Sequence, residues 1–165
     1  MRLAYAFQIG YIGNPCVYYG DEALLEGYRD PFNRRTYPWG KLKDYQNEQV
    51  KFVQDLSILR SDNPCLKTGY YKTLFAEEYA IVFERFLDED SNDFFGRKIG
   101  EGSKRVVLLL NNNSTRNLRY STSDDSVVLV DGSGEDSSNY VVHVSKDSKK
   151  IIDVGPMTFT FVCFD

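Results

Sequence analysis

The groups in this sequence able to do chemistry are carboxylates, guanidiniums and aromatic rings, concentrated in residues 21 to 39. Asp21 and Glu22 are adjacent, so on an extended chain their side chains point to opposite faces and cannot easily converge on one substrate atom. Their simpler role is to cap a turn or to pair with Arg34 or Arg35. Asp30 and Arg34 make the better binding pair, because carboxylate and guanidinium present fixed acceptors and donors and preorganise each other by pairing. The same pair can equally serve only to staple its own loop. Tyr37 and Trp39 either stack on a flat ligand face or pack into a core. Glu77-Glu78 and the run Asp88-Glu-Asp90 read as solvated surface. His143 lies in Tyr140-Val-Val-His-Val144 on the opposite face from Val142 and Val144, which makes it a solvent-facing strand residue rather than a ligand. The run Asn111-Asn-Asn-Ser-Thr115 contains a glycosylation triplet but reads more simply as a polar turn.

Composition excludes several classes of function. The 24 Asp and Glu exceed the 20 Lys and Arg, giving a net charge of -4 with no basic stripe to neutralise phosphates, so nucleic acid is not an expected partner. Three well-separated cysteines (Cys16, Cys65, Cys163) and a single histidine suggest neither a disulfide framework nor a zinc cluster. Reduced, buried thiols are expected, and no metal or cofactor is assigned. At 165 residues, 42% hydrophobic and 15% aromatic, the chain can build one ordinary core or two small ones. The apolar stretch from Leu3 to Tyr19 is interrupted by Gln8, Gly10, Gly13, Asn14 and Pro15, so neither membrane insertion nor an export signal is expected. This favours the cytoplasm over secretion, although a mature chain cut from a secreted precursor would look the same.

These residues need elements to position them. Leu3, Ala6, Phe7, Ile9 and Ile12 follow helical spacing over residues 2 to 12. Gly13-Asn14-Pro15 ends that helix, and Cys16-Val17-Tyr18-Tyr19 before Gly20 has the pattern of a short strand covered on both faces. From Asp44, which can cap its start, a second helix of about 17 residues places Tyr45, Gln49, Phe52, Val53, Leu56 and Leu59 on one face and stops at Asn63-Pro64. Beyond Gly69 the period becomes two, in residues 79 to 86, 105 to 110, 127 to 130, 140 to 144 and 158 to 164. Residues 88 to 104 and 121 to 126 read as solvated loops. The expected fold is mixed: a helix, strand, loop and helix over 1 to 66, then an all-beta antiparallel sandwich over 67 to 165.

Two motifs in the first part carry a resemblance: Pro15-Cys-Val-Tyr-Tyr-Gly-Asp-Glu22 and Glu26-Gly-Tyr-Arg-Asp-Pro-Phe-Asn-Arg-Arg-Thr-Tyr-Pro-Trp39. Together they resemble the last barrel strand and following loop of the alpha-amylase family of glycoside hydrolases, family 13, in its neopullulanase, cyclomaltodextrinase and alpha-glucosidase branch. Leu56-Ser-Ile-Leu-Arg60 with Asn63-Pro64 looks like the end of the family's last barrel helix. Ala80-Ile-Val-Phe-Glu-Arg85 and Val106 to Asn112 look like the first strands of its C-terminal sandwich. The resemblance implies that residues 1 to 66 are a remnant of the last beta/alpha unit of a TIM barrel, a fold that takes about 250 residues when complete. It implies that Asp30 and Arg34 hydrogen-bond the hydroxyls of an alpha-glucan substrate, with Tyr37 and Trp39 as further contacts. It also implies that the nucleophilic aspartate, the acid/base glutamate and a third aspartate all lie upstream of Met1.

No catalytic residue is therefore expected within the chain. Glycoside hydrolysis needs two carboxyl groups about 5 to 5.5 Å apart for retention or about 6.5 to 9.5 Å for inversion, and Asp21 and Glu22 are poorly placed to supply them. The leading reading is the C-terminal fragment of an alpha-glucan hydrolase, inactive alone. A freestanding carbohydrate-binding or accessory module and a split-enzyme subunit are the alternatives. Met1 falls inside a helix with no upstream cap, which points to a cut or interrupted chain. The apolar faces around Leu3, Phe7, Phe52 and Leu56 and the open edges of the Cys16 to Tyr19 strand predict a homodimer through the barrel remnant, or poor order there.

Overall fold

The computed structural model describes the backbone of residues 1–122, 127–130, 140–144 and 150–164, and the side chains of 1–121 and 150–164. Three layers are stacked. The first holds the helices α1 (Arg2–Gly10), α2 (Asp44–Asp62) and α3 (Pro64–Thr68), with a short 3-10 turn at Asp21–Ala23 against α2. The middle layer is a five-stranded antiparallel sheet of β1 (Tyr70–Glu77), β2 (Ala80–Phe86), β3 (Arg105–Asn111), β8 (Thr158–Phe164) and β5 (Val127–Val130), in that spatial order. The third is a three-stranded antiparallel sheet in the order β4 (Leu118–Thr122), β7 (Lys150–Val154), β6 (Tyr140–Val144).

The middle sheet is buried on both faces, and its sequence reflects this. Along β3, Val106, Leu108 and Leu110 join the helix-side core, while Val107 and Leu109 join the core against Leu118, Ile152 and Val154 of the small sheet. In β8, Phe159, Phe161 and Cys163 face the helices, while Val162 and Phe164 face the small sheet. A strand covered on both sides has no polar face to preserve, so alternation gives way to a continuous apolar run. Each fully buried side chain of this kind contributes about 1.5–3 kcal/mol.

At nine residues α1 is too short to be stable alone, and tertiary packing supplies its stability. Tyr5, Ala6, Ile9 and Gly10 are buried. A methyl group on Gly10 would lie 2.8 Å from Leu108 Cδ2 and 3.3 Å from the Phe83 and Phe161 rings, so only glycine lets the helix end approach the sheet this closely.

Carbonyls at and beyond the ends of α1 and α3 are satisfied by two guanidiniums. Arg85 on β2, 1% exposed, donates from Nη1 to Leu66 O at 2.8 Å and Tyr11 O at 3.0 Å, and from Nη2 to Gly69 O at 2.9 Å. Arg60 of α2 donates to Ile9 O and, at 2.6 Å, to Gly13 O. Burial pulls both guanidinium pKa values down, and Arg60's charge adds to the effect on Arg85, which falls to about 10. The carbonyl-rich helix ends, which carry partial negative charge, take the place of a carboxylate partner.

Lys43, rather than Asp44, is the N-cap of helix α2. The Lys43 N–H donates to Gln46 Oε1 at 3.1 Å, and Asp44 sits in the first turn. Gln49, Phe52, Val53, Leu56 and Leu59 are buried as expected, whereas Tyr45 is exposed. Asn63 ends the helix, its Nδ2 donating to Leu59 O at 2.8 Å, and Pro64 opens α3 at a position where its missing N–H costs nothing. In the loop after β2, Asp93 is fully buried. Burial disfavours its charge, but N–H donors of Arg97 and Phe95, the Thr68 hydroxyl and the Arg97 guanidinium outweigh that and hold its pKa at about 2.

Several expectations are corrected. Cys16 to Tyr19 is not a strand: among the described residues it has no ladder partner, and Val17, Tyr18 and Tyr19 are exposed. A strand needs a neighbour to satisfy its backbone. Cys16 is accordingly exposed, while Cys65 and Cys163 are buried thiols. Phe52 and Leu56 face the sandwich sheet instead of awaiting a barrel, with the Phe52 and Phe159 rings 5.9 Å apart. Strands β1, β4 and β7 were not anticipated. β1 is an edge strand, mostly exposed, and so lacks the half-buried alternation that marks a strand. Of the predicted loop 121 to 126, residues 121 and 122 belong to β4 and 123 to 126 lie outside the described residues. His143 pairs with Ile151 in β6, and its side chain lies outside the described residues.

Candidate functional site

Residues 11 to 43 leave the end of α1 and return to α2 with only the Asp21–Ala23 turn as regular structure. What fixes this segment is a set of local hydrogen bonds. Gly20, at φ +92°, accepts from Leu25 N–H at 2.9 Å and donates to Glu22 Oε2 at 2.8 Å. Gln46 of α2 donates to Ala23 O at 2.7 Å, and the Tyr19 hydroxyl donates to Arg35 O at 3.0 Å. Glu22 thus caps its own turn. Arg34 takes Asp30 as partner instead of Asp21 or Glu22.

The Asp30–Arg34 pair is two-pronged: Nε to Oδ1 is 2.9 Å and Nη2 to Oδ2 is 3.3 Å. Two turns bring the side chains together, with Phe32 N–H donating to Arg29 O at 3.0 Å and Arg34 N–H to Pro31 O at 3.1 Å. The side chains are 69% and 62% exposed, so the ion pair adds at most about 1 kcal/mol to stability. Its remaining value is geometric, as a rigid array of two acceptor oxygens and further guanidinium donors held at the surface. Tyr37 and Trp39 lie against each other, ring centroids 4.6 Å apart and tilted by 46°, with Trp39 78% exposed. Burial, and secondarily the Glu22 carboxylate, raise the Tyr37 pKa. The same causes, with Asp21 added, raise that of the buried Tyr5 to about 12. Both phenols stay neutral donors at any physiological pH.

A cleft of about 330 Å³ opens in this segment, walled by Tyr18, Tyr19, Asp21, Leu25, Glu26 and Arg35, among others. Sequence reasoning missed Tyr19 and Arg35 as wall residues; the signal was the aromatic pair just before Gly20, read there as strand core. Asp30, Arg34, Tyr37 and Trp39 do not line this cleft. Asn33 and Arg35, which flank Arg34 in the chain, do line it; the ion pair and the two rings lie outside the cleft lining. The remaining acidic groups stay apart from this loop. Glu77 and Glu78 are exposed at the β1–β2 turn, and Asp88 accepts from Asp90 N–H and Asn92 N–H at 3.0 and 2.7 Å as a turn cap. The Asn111 to Thr115 run is a polar turn, with Asn113 Oδ1 accepting from Thr115 N–H at 2.9 Å. Among the described residues, no group of three or more His, Cys, Asp or Glu is placed to hold a metal ion, and no helix is long and apolar enough to cross a membrane.

Fold and loop together define a helix-backed antiparallel beta-sandwich carrying an aromatic, ion-paired surface loop. A comparison with protein-family models finds no match. Among curated proteins, an amylopullulanase of Thermoanaerobacter thermohydrosulfuricus is 32% identical over 161 residues, covering 95% of this chain and 10% of that protein. A cyclomaltodextrinase of a Bacillus species is 39% identical over 93 residues, covering 56% of this chain and 16% of that protein. The solved alpha-amylase of H. orenii superposes with a TM-score of 0.70 at 16% identity, covering 99% of this chain and 35% of that one. The chain belongs to the alpha-amylase family of glycoside hydrolases and corresponds to a C-terminal portion of its members. It spans about a tenth of the length of the amylopullulanases it matches.

Proposed function

We propose that this chain is the substrate-side loop, last barrel helix and C-terminal sandwich of a hydrolase acting on alpha-glucans, with residues 1 to 66 the end of a TIM barrel and 67 to 165 the sandwich domain. In that assembly Asp30 and Arg34 hold vicinal sugar hydroxyls, and Trp39 with Tyr37 offers a stacking surface. The observation that carries the reading is the two-pronged, solvent-exposed Asp30–Arg34 pair, a preorganised donor and acceptor array on a loop that aligns with alpha-glucan-acting relatives. Exposed Val17, Tyr18, Tyr19 and Ile58 are the surfaces the rest of the barrel would cover, and a second copy of the chain pairing through them is the expected substitute in isolation.

The nucleophile and the acid/base are supplied by the barrel portion of the enzyme, so the chain alone is inactive. The purified 165-residue protein should not hydrolyse maltooligosaccharides, starch, pullulan or cyclodextrin in a reducing-sugar assay, because the missing carboxylates supply nearly all of the rate enhancement. Turnover that disappears in Asp21→Asn would overturn this reading; turnover that persists in that variant marks a contaminating host amylase.

A further inference from the structure

A second cleft, of about 730 Å³, lies at one end of the sandwich and shares no lining residue with the cleft of the Tyr18 to Arg35 segment. Its walls are the β1–β2 turn, with Glu77, Glu78 and Tyr79, and the connection from β3 to β4, with Asn112 and Arg116. Both walls are fixed from beneath. Asn111, 1% exposed, donates through Nδ2 to Arg116 O at 2.8 Å, Val154 O at 3.1 Å and Gly155 O at 2.8 Å, and accepts from Asn113 N–H at 3.0 Å. Asn113 Oδ1 in turn accepts from Arg116 N–H at 2.9 Å. Asn112 N–H donates to Tyr79 O at 2.7 Å, tying one wall to the other. A cleft framed in this way loses little conformational freedom when a ligand arrives.

The groups presented by that frame are unspent. Among the described residues, the side chains of Glu77, Glu78, Tyr79, Asn112 and Arg116 make no hydrogen bond or ion pair with the protein. Arg119, on the same cleft, is by contrast held by Asp153 at 2.7 and 3.0 Å. Tyr79 is 48% exposed and also borders an apolar cleft of about 340 Å³ formed with Leu3, Phe7, Ile81 and Leu110. Two free carboxylates against one free guanidinium make the polar side acidic, which disfavours phosphates and nucleotides. The lining is too polar for a lipid. Carboxylates that accept, an amide and a guanidinium that donate, and an aromatic ring on the same cleft suit a neutral ligand with vicinal hydroxyls and apolar C–H faces.

We propose that the Tyr79 cleft binds an alpha-glucan chain, one sugar stacking on the Tyr79 ring while Glu77, Glu78, Asn112 and Arg116 hold hydroxyls of its neighbours. This is a holding site separate from the Asp30–Arg34 loop, and its ligand class rests on the glucan reading above. The test is titration of the isotope-labelled 165-residue protein with maltoheptaose, followed residue by residue in amide correlation spectra. Shifts should centre on Tyr79, Asn112 and Arg116, and apparent affinity should fall about tenfold or more in Tyr79→Ala and in Arg116→Ala, the loss of one good contact. It should stay unchanged in Glu48→Ala, an exposed site on α2. Unaltered β3 and β8 amide positions show that the variants are folded. Shifts confined to residues 18 to 39 would overturn this site while leaving the loop reading standing. Absence of shifts, shifts that survive Tyr79→Ala, or a response to a basic peptide in place of maltoheptaose would also overturn it. Hydrolysis by the isolated chain would count against the fragment reading alone.

Discussion

Strands β2, β3 and β8 and the segment from residue 11 to 43 both carry many aromatic and aliphatic residues, yet they use them in opposite ways. In the strands Phe83, Val107, Leu109, Phe161 and Val162 are completely buried, while in the segment Tyr28, Phe32 and Trp39 are 59 to 78% exposed. The strands bury both faces between two layers. The segment is held by its own turns and by isolated bonds from Gln8, Tyr19, Gln46, Arg60 and Arg85. Apolar content therefore does not report burial; what matters is whether backbone partners exist to gather the side chains into a layer.

Thiol chemistry offers the widest separation of the two regions. Cys16 lies in the segment and is exposed, while burial, with the neighbouring Cys163 as the next cause, pushes the Cys65 thiol up to about 12. Iodoacetamide should label Cys16 in the native protein and reach Cys65 and Cys163 at least about a thousandfold more slowly, through global unfolding. Equal labelling of all three by mass spectrometry would mean that the sheet is not the stable body described. Truncation of Phe161, which touches the helix layer at Gly10, comes next. Phe161→Ala should cost about 3–5 kcal/mol in urea unfolding, and a loss under about 1 kcal/mol would show that helices and sheet do not share a core.

Gly10→Ala probes the same contact by overfilling it. With Leu108 Cδ2 only 2.8 Å from the added methyl, a loss of about 1–3 kcal/mol is expected in the same assay. Neutral behaviour would place α1 farther from the sheet. The smallest effect belongs to the segment: Trp39→Ala and Asp30→Ala should each lower the unfolding free energy by no more than about 1 kcal/mol. A larger loss would mean that the loop is structural and would weaken its assignment to substrate.

The antiparallel sandwich was legible because β2, β3 and β8 are uninterrupted apolar strands punctuated by polar turns, and α2 because Phe52, Val53, Leu56 and Leu59 recur at helical spacing before Asn63-Pro64. β1, β4 and β7 were not, since β1 is a mostly exposed edge strand and the polar residues of β4 and β7 interrupt their short apolar runs. The loop's Asp30 and Arg34 were singled out by the resemblance that residues 15 to 39 carry. That the two pair with each other rather than with Asp21 or Glu22 depended on the turns at Arg29 to Arg34, which spacing does not specify. The Tyr79 cleft left no local mark at all, because its two walls are about 30 residues apart in the chain.

By itself the sequence determined the helices α1 and α2, the apolar strands β2, β3 and β8 and the family, because propensity, punctuation and motif spacing are local properties written along the chain. Only the tertiary structure decided that Cys16 to Tyr19 goes unpaired and that Phe52 and Leu56 turn to the sandwich. It likewise decided that Arg60 and Arg85 replace carboxylate partners with the carbonyls beyond α1. Each of these outcomes depends on which surface is nearest in space when backbone polar groups and apolar faces must be satisfied, and neither distance nor competition between surfaces is encoded at any single position.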